Sequence, residues 1–235
     1  GNLFTDIGGL YQSFNKSRLI VLTDWFIHLI SLFIPNGTNN ASLKETPMTD
    51  FATHTIETAP EAAKPLLEGA QKKYGFVPNL LGTMAEAPAL LESYMTLGGI
   101  MGKTALSETE RQIILMTNNR LNGCTYCMAA HTTIAQGAGV PEDVITALRN
   151  NSPIADAKLE ALRQFSIVVN ETRGWPTDAD IAALIAAGYT KQTVLEVVLA
   201  TAFKVLSNYT NHIASTDVDA AFAKNEWSAD QANAA

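Results

Sequence analysis

Only two of the 235 residues are cysteines, which excludes a disulfide-stapled scaffold. Charged residues are scarce at 17%, against 47% hydrophobic, and that balance excludes a disordered chain. Cations are outnumbered 16 to 23, giving a net charge of −7. A general nucleic-acid binder is excluded with them, because phosphate contacts need clustered Lys and Arg. No stretch alternates apolar and polar residues with β-branched enrichment, so little or no sheet is expected. Apolar runs are also short of a bilayer span: residues 19–34 are interrupted by Thr23, Asp24, His28 and Ser31.

What charge there is sits unevenly. Residues 1–47 hold Lys16, Arg18 and Lys44 against Asp6, Asp24 and Glu45, so the whole −7 belongs to residues 48–235. This divides the chain into an N-terminal extension, 1–47, and a helical domain, 48–235. Within the extension an apolar helix is expected at about 18–34, followed by a polar linker up to Met48, itself a plausible natural start. Asp24, His28 and Ser31 fall on one narrow stripe of that helix, leaving a wide apolar face. An interface helix and a membrane-surface or leader segment both fit this pattern; Lys16 and Arg18 resemble a leader's basic start, but no A-x-A cleavage site follows.

Beyond Met48 the punctuation is helical. Pro60 and Pro88 open segments reaching about Lys73 and Gly98. Ser107 and Glu110 form a capping box before a helix that ends at Asn122-Gly123. A second helix is expected from Cys124 to about Gln136, and a third from Pro141 to Arg149. Others follow from Asp156 to Glu171, from Thr177 towards Gly188, and from Thr190 to about Asn208, with 216–223 a further helical candidate. These predict an all-α bundle with short loops.

The two cysteines are not scattered. Cys124 and Cys127 form a C-x-x-C, a spacing that random placement gives about once in a hundred, and His131 follows. On a helix these positions are i, i+3 and i+7, so both sulfurs and the imidazole share a face. Cys124 stands at the helix start, where free N–H groups favour a thiolate. His131 is placed to take a thiol proton. Such a dithiol can attack an electrophile with one sulfur and close a disulfide with the other. The motif supplies three zinc ligands rather than four, so a catalytic Cys2His zinc also fits, as does a pair of inert core cysteines. The other histidines, His28, His54 and His212, are remote in sequence. No metal or bound cofactor is required by the dithiol reading. Trp175, Tyr94, Tyr126 and Met128 are candidate lining residues for access to it.

The run Leu106-Ser-Glu-Thr-Glu-Arg-Gln112 through Asn122-Gly-Cys-Thr-Tyr-Cys-Met-Ala-Ala-His131 closely resembles the core of the carboxymuconolactone decarboxylase / alkylhydroperoxidase D (AhpD)-like family. The motif covers about 26 residues, and a looser likeness spans roughly 55–225. The resemblance implies an all-helical fold assembling as homotrimers or homohexamers. It implies alkyl hydroperoxide reductase or disulfide reductase activity, with Cys127 attacking, Cys124 resolving and His131 in a proton relay. The electrons would come from a small thiol or a peroxiredoxin-type partner, in a reducing compartment such as the cytoplasm. One position departs from the family: its relay glutamate, twelve residues before the first cysteine, is Gln112 here. Glutamine can orient the imidazole but cannot exchange its proton. Glu108, one turn earlier, can approach the same face.

A second echo lies near the C-terminus. Setting Glu196 against Gln112 puts Asn208 and Asn211 opposite Cys124 and Cys127. This suggests a duplicated helical hairpin in which Glu196 or His212 donates to the first copy's site; an ordinary hydrogen-bonded helix end is the competing reading. Two other functions remain beside the reductase: a redox-sensing or structural oligomeric module, and a lyase of the carboxymuconolactone decarboxylase type. Against the lyase, the sequence has no clustered Arg for a dianionic lactone.

Overall fold

A computed structural model of the protein describes residues 50–229. Every regular element among them is helical. The helices are α1 (Lys64–Tyr74), α2 (Asn79–Met84), α3 (Pro88–Met101), α4 (Glu108–Leu121), α5 (Thr125–Gly137), α6 (Glu142–Asn150), α7 (Ala157–Glu171), α8 (Asp178–Ala186) and α9 (Lys191–Ala214), closed by a short 3-10 helix, Ala223–Asn225. The all-α expectation holds over these residues. The N-terminal extension, 1–47, and the apolar helix expected in it lie outside them. No single helix among the described residues is long and apolar enough to cross a membrane.

The helix starts follow the sequence signals. Ser107 Oγ accepts from the Glu110 amide at 3.2 Å while Glu110 accepts from the Ser107 amide at 2.8 Å, which satisfies two of the free N–H groups opening α4. Thr177 and Asp180 make the same reciprocal pair on α8, and Asp156 caps α7 through the Leu159 amide. After α4 the chain reverses through Gly123, whose φ of +67° suits a residue without a Cβ.

Several boundaries differ from expectation: α1 opens at Lys64 rather than Pro60, and α3 runs to Met101 rather than Gly98. Helix α2 carries no strong sequence signal; it is six residues long and held at Gly82 against an extended stretch, with the His54 amide donating to the Gly82 carbonyl at 3.1 Å. Helix α9 runs to Ala214 rather than Asn208. Its last turns look polar in sequence, yet Asn208 and Asn211 are buried and their amides are taken up by side chains of α4 and α5. Residues 216–218 are not helical; within the expected stretch only Ala223 joins a helical turn, the 3-10 helix Ala223–Asn225. The extended α9 also corrects the duplicated hairpin. Where Asn122-Gly123 breaks the first copy, Leu206-Ser207 continues an unbroken helix, with no glycine to turn it.

Helix α4 is central, buried along most of its length and packed on α5, α6, α7 and α9. Two apolar clusters form around it. One joins α4, α6, α7, α8 and α9 through residues such as Ile113, Ile145, Leu162 and Val197. The other joins α1, α2 and α3 to α5 through Leu67, Leu81, Leu91 and Ala130. Helix α5 contributes to both: Met128 and Ala135 enter the first cluster, whereas Cys124, Tyr126 and Cys127 enter the second. The dithiol therefore lies where the two cores meet.

Candidate active site

Cys124 is the N-cap of α5 and Cys127 sits in its first turn, and both are reduced and buried. Helix α9 crosses this turn. Its inward stripe of Val197, Ala200, Lys204, Ser207, Asn208 and Asn211 repeats at three- and four-residue intervals, as a buried helix face requires. Asn211 Nδ2 lies 3.2 Å from the Cys127 sulfur and 3.7 Å from that of Cys124, so one amide spans both thiols. Asn119 of α4 holds the Cys127 carbonyl at 3.1 Å, and Asn208 holds Asn119 at 3.0 Å.

Lys204 is fully buried, and no carboxylate among the described residues lies within ion-pair distance of it. An uncompensated charge in such a place is strongly unfavourable. Its Nζ lies 3.1 Å from His131 Nε2 and lines the same cavity as Cys127. The Cys127 thiolate is the anion available to it. Burial alone would push the Cys127 thiol up. The hydrogen bond from Cys124, the charge of Lys204 and the side chains of Ser207 and Asn208 outweigh burial and hold it well below the ordinary thiol value. Cys124 moves the opposite way: its bond to Cys127 and its burial push it up. The helix start was expected to favour a Cys124 thiolate. The Lys204 cation and the polar side chains of α9 converge on Cys127 instead, and Cys124 keeps the proton.

The hydrogen bonds around His131 run in one direction. A charged Lys204 has only protons to give, so Nε2 accepts and Nδ1 carries the ring proton. Nδ1 then donates to Gln112 Oε1 at 2.9 Å, and Gln112 Nε2 donates to Glu108 Oε1 at 2.7 Å. Burial and the neighbouring Lys204 charge hold His131 neutral, well below its ordinary value. Glu108, paired with Arg111, is held below the usual carboxylate range: partial burial opposes this, but bonds from Gln112 and Arg111 and the Arg111 charge prevail. The glutamine at the relay position thus orients His131 and joins it to a carboxylate one turn further out.

A cavity of about 200 Å³ reaches Cys127, His131 and Lys204. Its walls are apolar and aromatic, with Tyr74, Phe76, Tyr94, Tyr126 and Phe222 among them. The Tyr126 hydroxyl is tied at 2.6 Å to Asp219, whose carboxylate also accepts from the Asn79 amide at 3.0 Å, so this wall is fixed. A second hollow, about 400 Å³, shares His131 and Tyr94 with the cavity and opens past Glu108 and Arg111. Of the expected lining residues, Tyr94 and Tyr126 are at the cavity. Met128 is buried in the other core, and Trp175 stands 83% exposed on the surface.

The structure brings Cys124, Cys127, His131 and Gln112 together. It does not bring Glu196 to them: that carboxylate accepts from the Ala105 amide at 2.9 Å and from Gln192, fixing the loop before α4. His212 is exposed on the far side of Cys124, its ring beside that of Tyr209. Among the described residues no three of His, Cys, Asp and Glu are placed to hold one metal ion. Lys204 and Asn211 are the residues sequence reasoning missed. Asn211 had appeared only as the counterpart of Cys127 in the suggested duplication, beyond the expected helix end, and Lys204 not at all.

Residues 88–166, from α3 into α7, match the carboxymuconolactone decarboxylase family. No match was found among curated proteins. An alkylhydroperoxidase AhpD core from Ralstonia eutropha, an uncharacterized peroxidase-related protein, superposes with a TM-score of 0.65 at 23% identity over 73% of this chain and 93% of that one. A peroxidase-related protein from Silicibacter gives 0.63 at 21% identity over 77% and 97%. The debrominase Bmp8, solved with 2,3,4-tribromopyrrole, gives 0.63 at 18% identity over 78% and 97%. Residues 88–166 are thus similar to the carboxymuconolactone decarboxylase family, within a helical fold shared with the AhpD core structure.

Proposed function

We propose that the protein is a thiol-dependent oxidoreductase that reduces small apolar hydroperoxides or disulfides at Cys127. One observation carries this: Cys127 faces an apolar cavity beside a buried lysine, with a second thiol in its own helix turn. The Cys127 thiolate attacks the distal peroxide oxygen and the O–O bond breaks. Cys127 becomes a sulfenic acid, and the departing alkoxide takes a proton from Lys204, leaving as an alcohol. The Cys124 thiol then attacks the sulfenic sulfur, water leaves, and a Cys124–Cys127 disulfide closes. An external dithiol returns the two electrons. His131 accepts from Lys204, and Gln112 holds it in the tautomer that can do so.

The test is consumption of cumene hydroperoxide with dithiothreitol as reductant. Cys127→Ser abolishes it. Cys124→Ser stops after one turnover, with a dimedone-reactive sulfenic acid on Cys127. Equal rates in wild type and Cys127→Ser contradict the proposal.

An aryl halide is a second electrophile the same thiolate can meet. The aromatic walls favour a flat ring, and the fold is shared with a debrominase. Bromide release from 2,3,4-tribromopyrrole, assayed in parallel, separates the two readings.

A further inference from the structure

The two sulfurs do not face the same space. Cys127 lines the apolar cavity, and Cys124 is absent from its walls. Cys124 lines a separate hollow of about 320 Å³ with Thr125, Asn211, His212, Ser215 and Thr216. The two spaces have Tyr126 alone in common. The Cys124 hollow is polar where the Cys127 cavity is greasy: Thr125, His212 and Ser215 are exposed around it.

Two atoms at this hollow are unsatisfied. Asn211, only 5% exposed, gives its Nδ2 to the two sulfurs, while its Oδ1 has no hydrogen-bond partner among the described residues. Thr216 Oγ1 is buried and equally without one. Buried polar atoms are nearly always paired, so two orphans around one hollow mark a place for a polar ligand. Acceptors of this kind suit the peptide N–H groups that flank a cysteinyl thiol.

We infer that the dithiol is served from two sides: the oxidising substrate reaches Cys127 through the apolar cavity, and a cysteinyl thiol reductant reaches Cys124 through the polar hollow at His212. This rests on the redox reading of the dithiol given above. The chemistry agrees with the geometry. In thiol–disulfide exchange the more acidic thiol is the better leaving group. The Lys204-stabilised Cys127 is that group, so attack falls on Cys124. The reductant thiolate attacks the Cys124 sulfur, the Cys124–Cys127 bond breaks, and Cys127 leaves as a thiolate. A second reductant thiol then attacks the reductant sulfur of the mixed disulfide. The reductant departs as its own disulfide, and Cys124 takes up a proton. Two electrons pass from two reductant thiols to the enzyme disulfide. The exposed His212 imidazole is placed to take the proton of the incoming thiol.

The experiment uses the full chain with its disulfide installed by diamide, so the readout needs no peroxide turnover. Glutathione is added in excess, the reaction is quenched in acid within its first half-life, and free thiols are blocked with N-ethylmaleimide. Fragment mass spectrometry then locates each adduct. The account expects glutathione predominantly on Cys124 and maleimide on Cys127. Glutathione equally or mainly on Cys127 overturns it. In a second arm, Thr125→Trp narrows the hollow from an exposed position, and Ile134→Trp narrows the cavity. Thr125→Trp is expected to lower the ratio of reduction rate to oxidation rate at least tenfold, and Ile134→Trp to raise it. Ratios that do not diverge overturn the two-sided arrangement. If peroxide fails to oxidise the thiols while glutathione still lands on Cys124, the peroxidase reading fails and this one stands.

Discussion

Lys204 Nζ lies 3.1 Å from Nε2 of His131, with the lysine side chain closed off from solvent. A buried ammonium needs a counter-charge, and the cavity it shares with Cys127 supplies a thiolate. Lys204→Met removes the cation and keeps a similar length. Alkylation of Cys127 by iodoacetamide at neutral pH should slow about tenfold or more as the thiol returns towards its ordinary value of about 8.5, above the assay pH, where most of it is protonated. An unchanged rate would remove Lys204 from the account.

Gln112 stands where the related proteins were expected to carry glutamate, and Glu108 lies beside it. Gln112→Glu would set two carboxylates against each other at that 2.7 Å contact. The variant should lose roughly 1–2 kcal/mol near pH 7, measured by urea unfolding, and regain it as the pH falls and one carboxylate protonates. Adding Glu108→Gln should restore most of the loss at neutral pH. The two substitutions are in contact and are not expected to be additive.

His131 and Cys127 make the fold acid-sensitive in the same direction. Burial and then the Lys204 charge lower the folded pKa of His131, so the unfolded chain binds the extra proton first. Stability is full above the unfolded histidine value of about 6.5 and falls as pH drops below it. Cys127 is also lowered in the folded state, so its contribution is present above the ordinary thiol range and is lost as pH falls through its folded value. Urea midpoints should therefore decline from roughly pH 8.5 downwards as the Cys127 contribution is lost, and more steeply below about pH 6.5, where His131 adds to it. The decline should be shallower in His131→Gln, which has no ring to protonate.

Gly82 is fixed by space. A Cβ there would meet the His54 carbonyl oxygen at 2.6 Å, and that oxygen is backbone and cannot swing away. Gly82→Ala should cost about 1–3 kcal/mol by thermal or urea unfolding, more than an exposed helix substitution would.

Much of this was legible in the sequence, because helices announce their ends. Ser107 caps where its spacing to Glu110 says it should, and the segments expected to open at Asp156 and Thr177 do open there, each with that side chain as the cap. The dithiol and His131 were legible from spacing alone, since i, i+3 and i+7 share a face whatever the tertiary fold. The partners across from them were not. Lys204, Asn208 and Asn211 look like solvated or helix-ending residues, and their roles exist only because α9 lies across α5. Glu196 shows the converse. Its spacing to Asn208 mirrored that of Gln112 to Cys124, but an unbroken α9 carries it to the Ala105 amide instead. Local periodicity places a side chain on a helix; helix packing decides what it meets.

The central claim is that Cys127 is the activated thiol and that the buried cation activates it. The direct measurement is the rate of Cys127 alkylation against pH in the Cys124→Ser background and in wild type, each with and without Lys204→Met. The account predicts a wild-type profile that is already at its plateau at neutral pH. It predicts a rightward shift when the Cys124 hydrogen bond is lost, and a larger one when Lys204 goes as well. A wild-type profile rising with an apparent pKa near the ordinary thiol value of about 8.5, indifferent to Lys204, would contradict it.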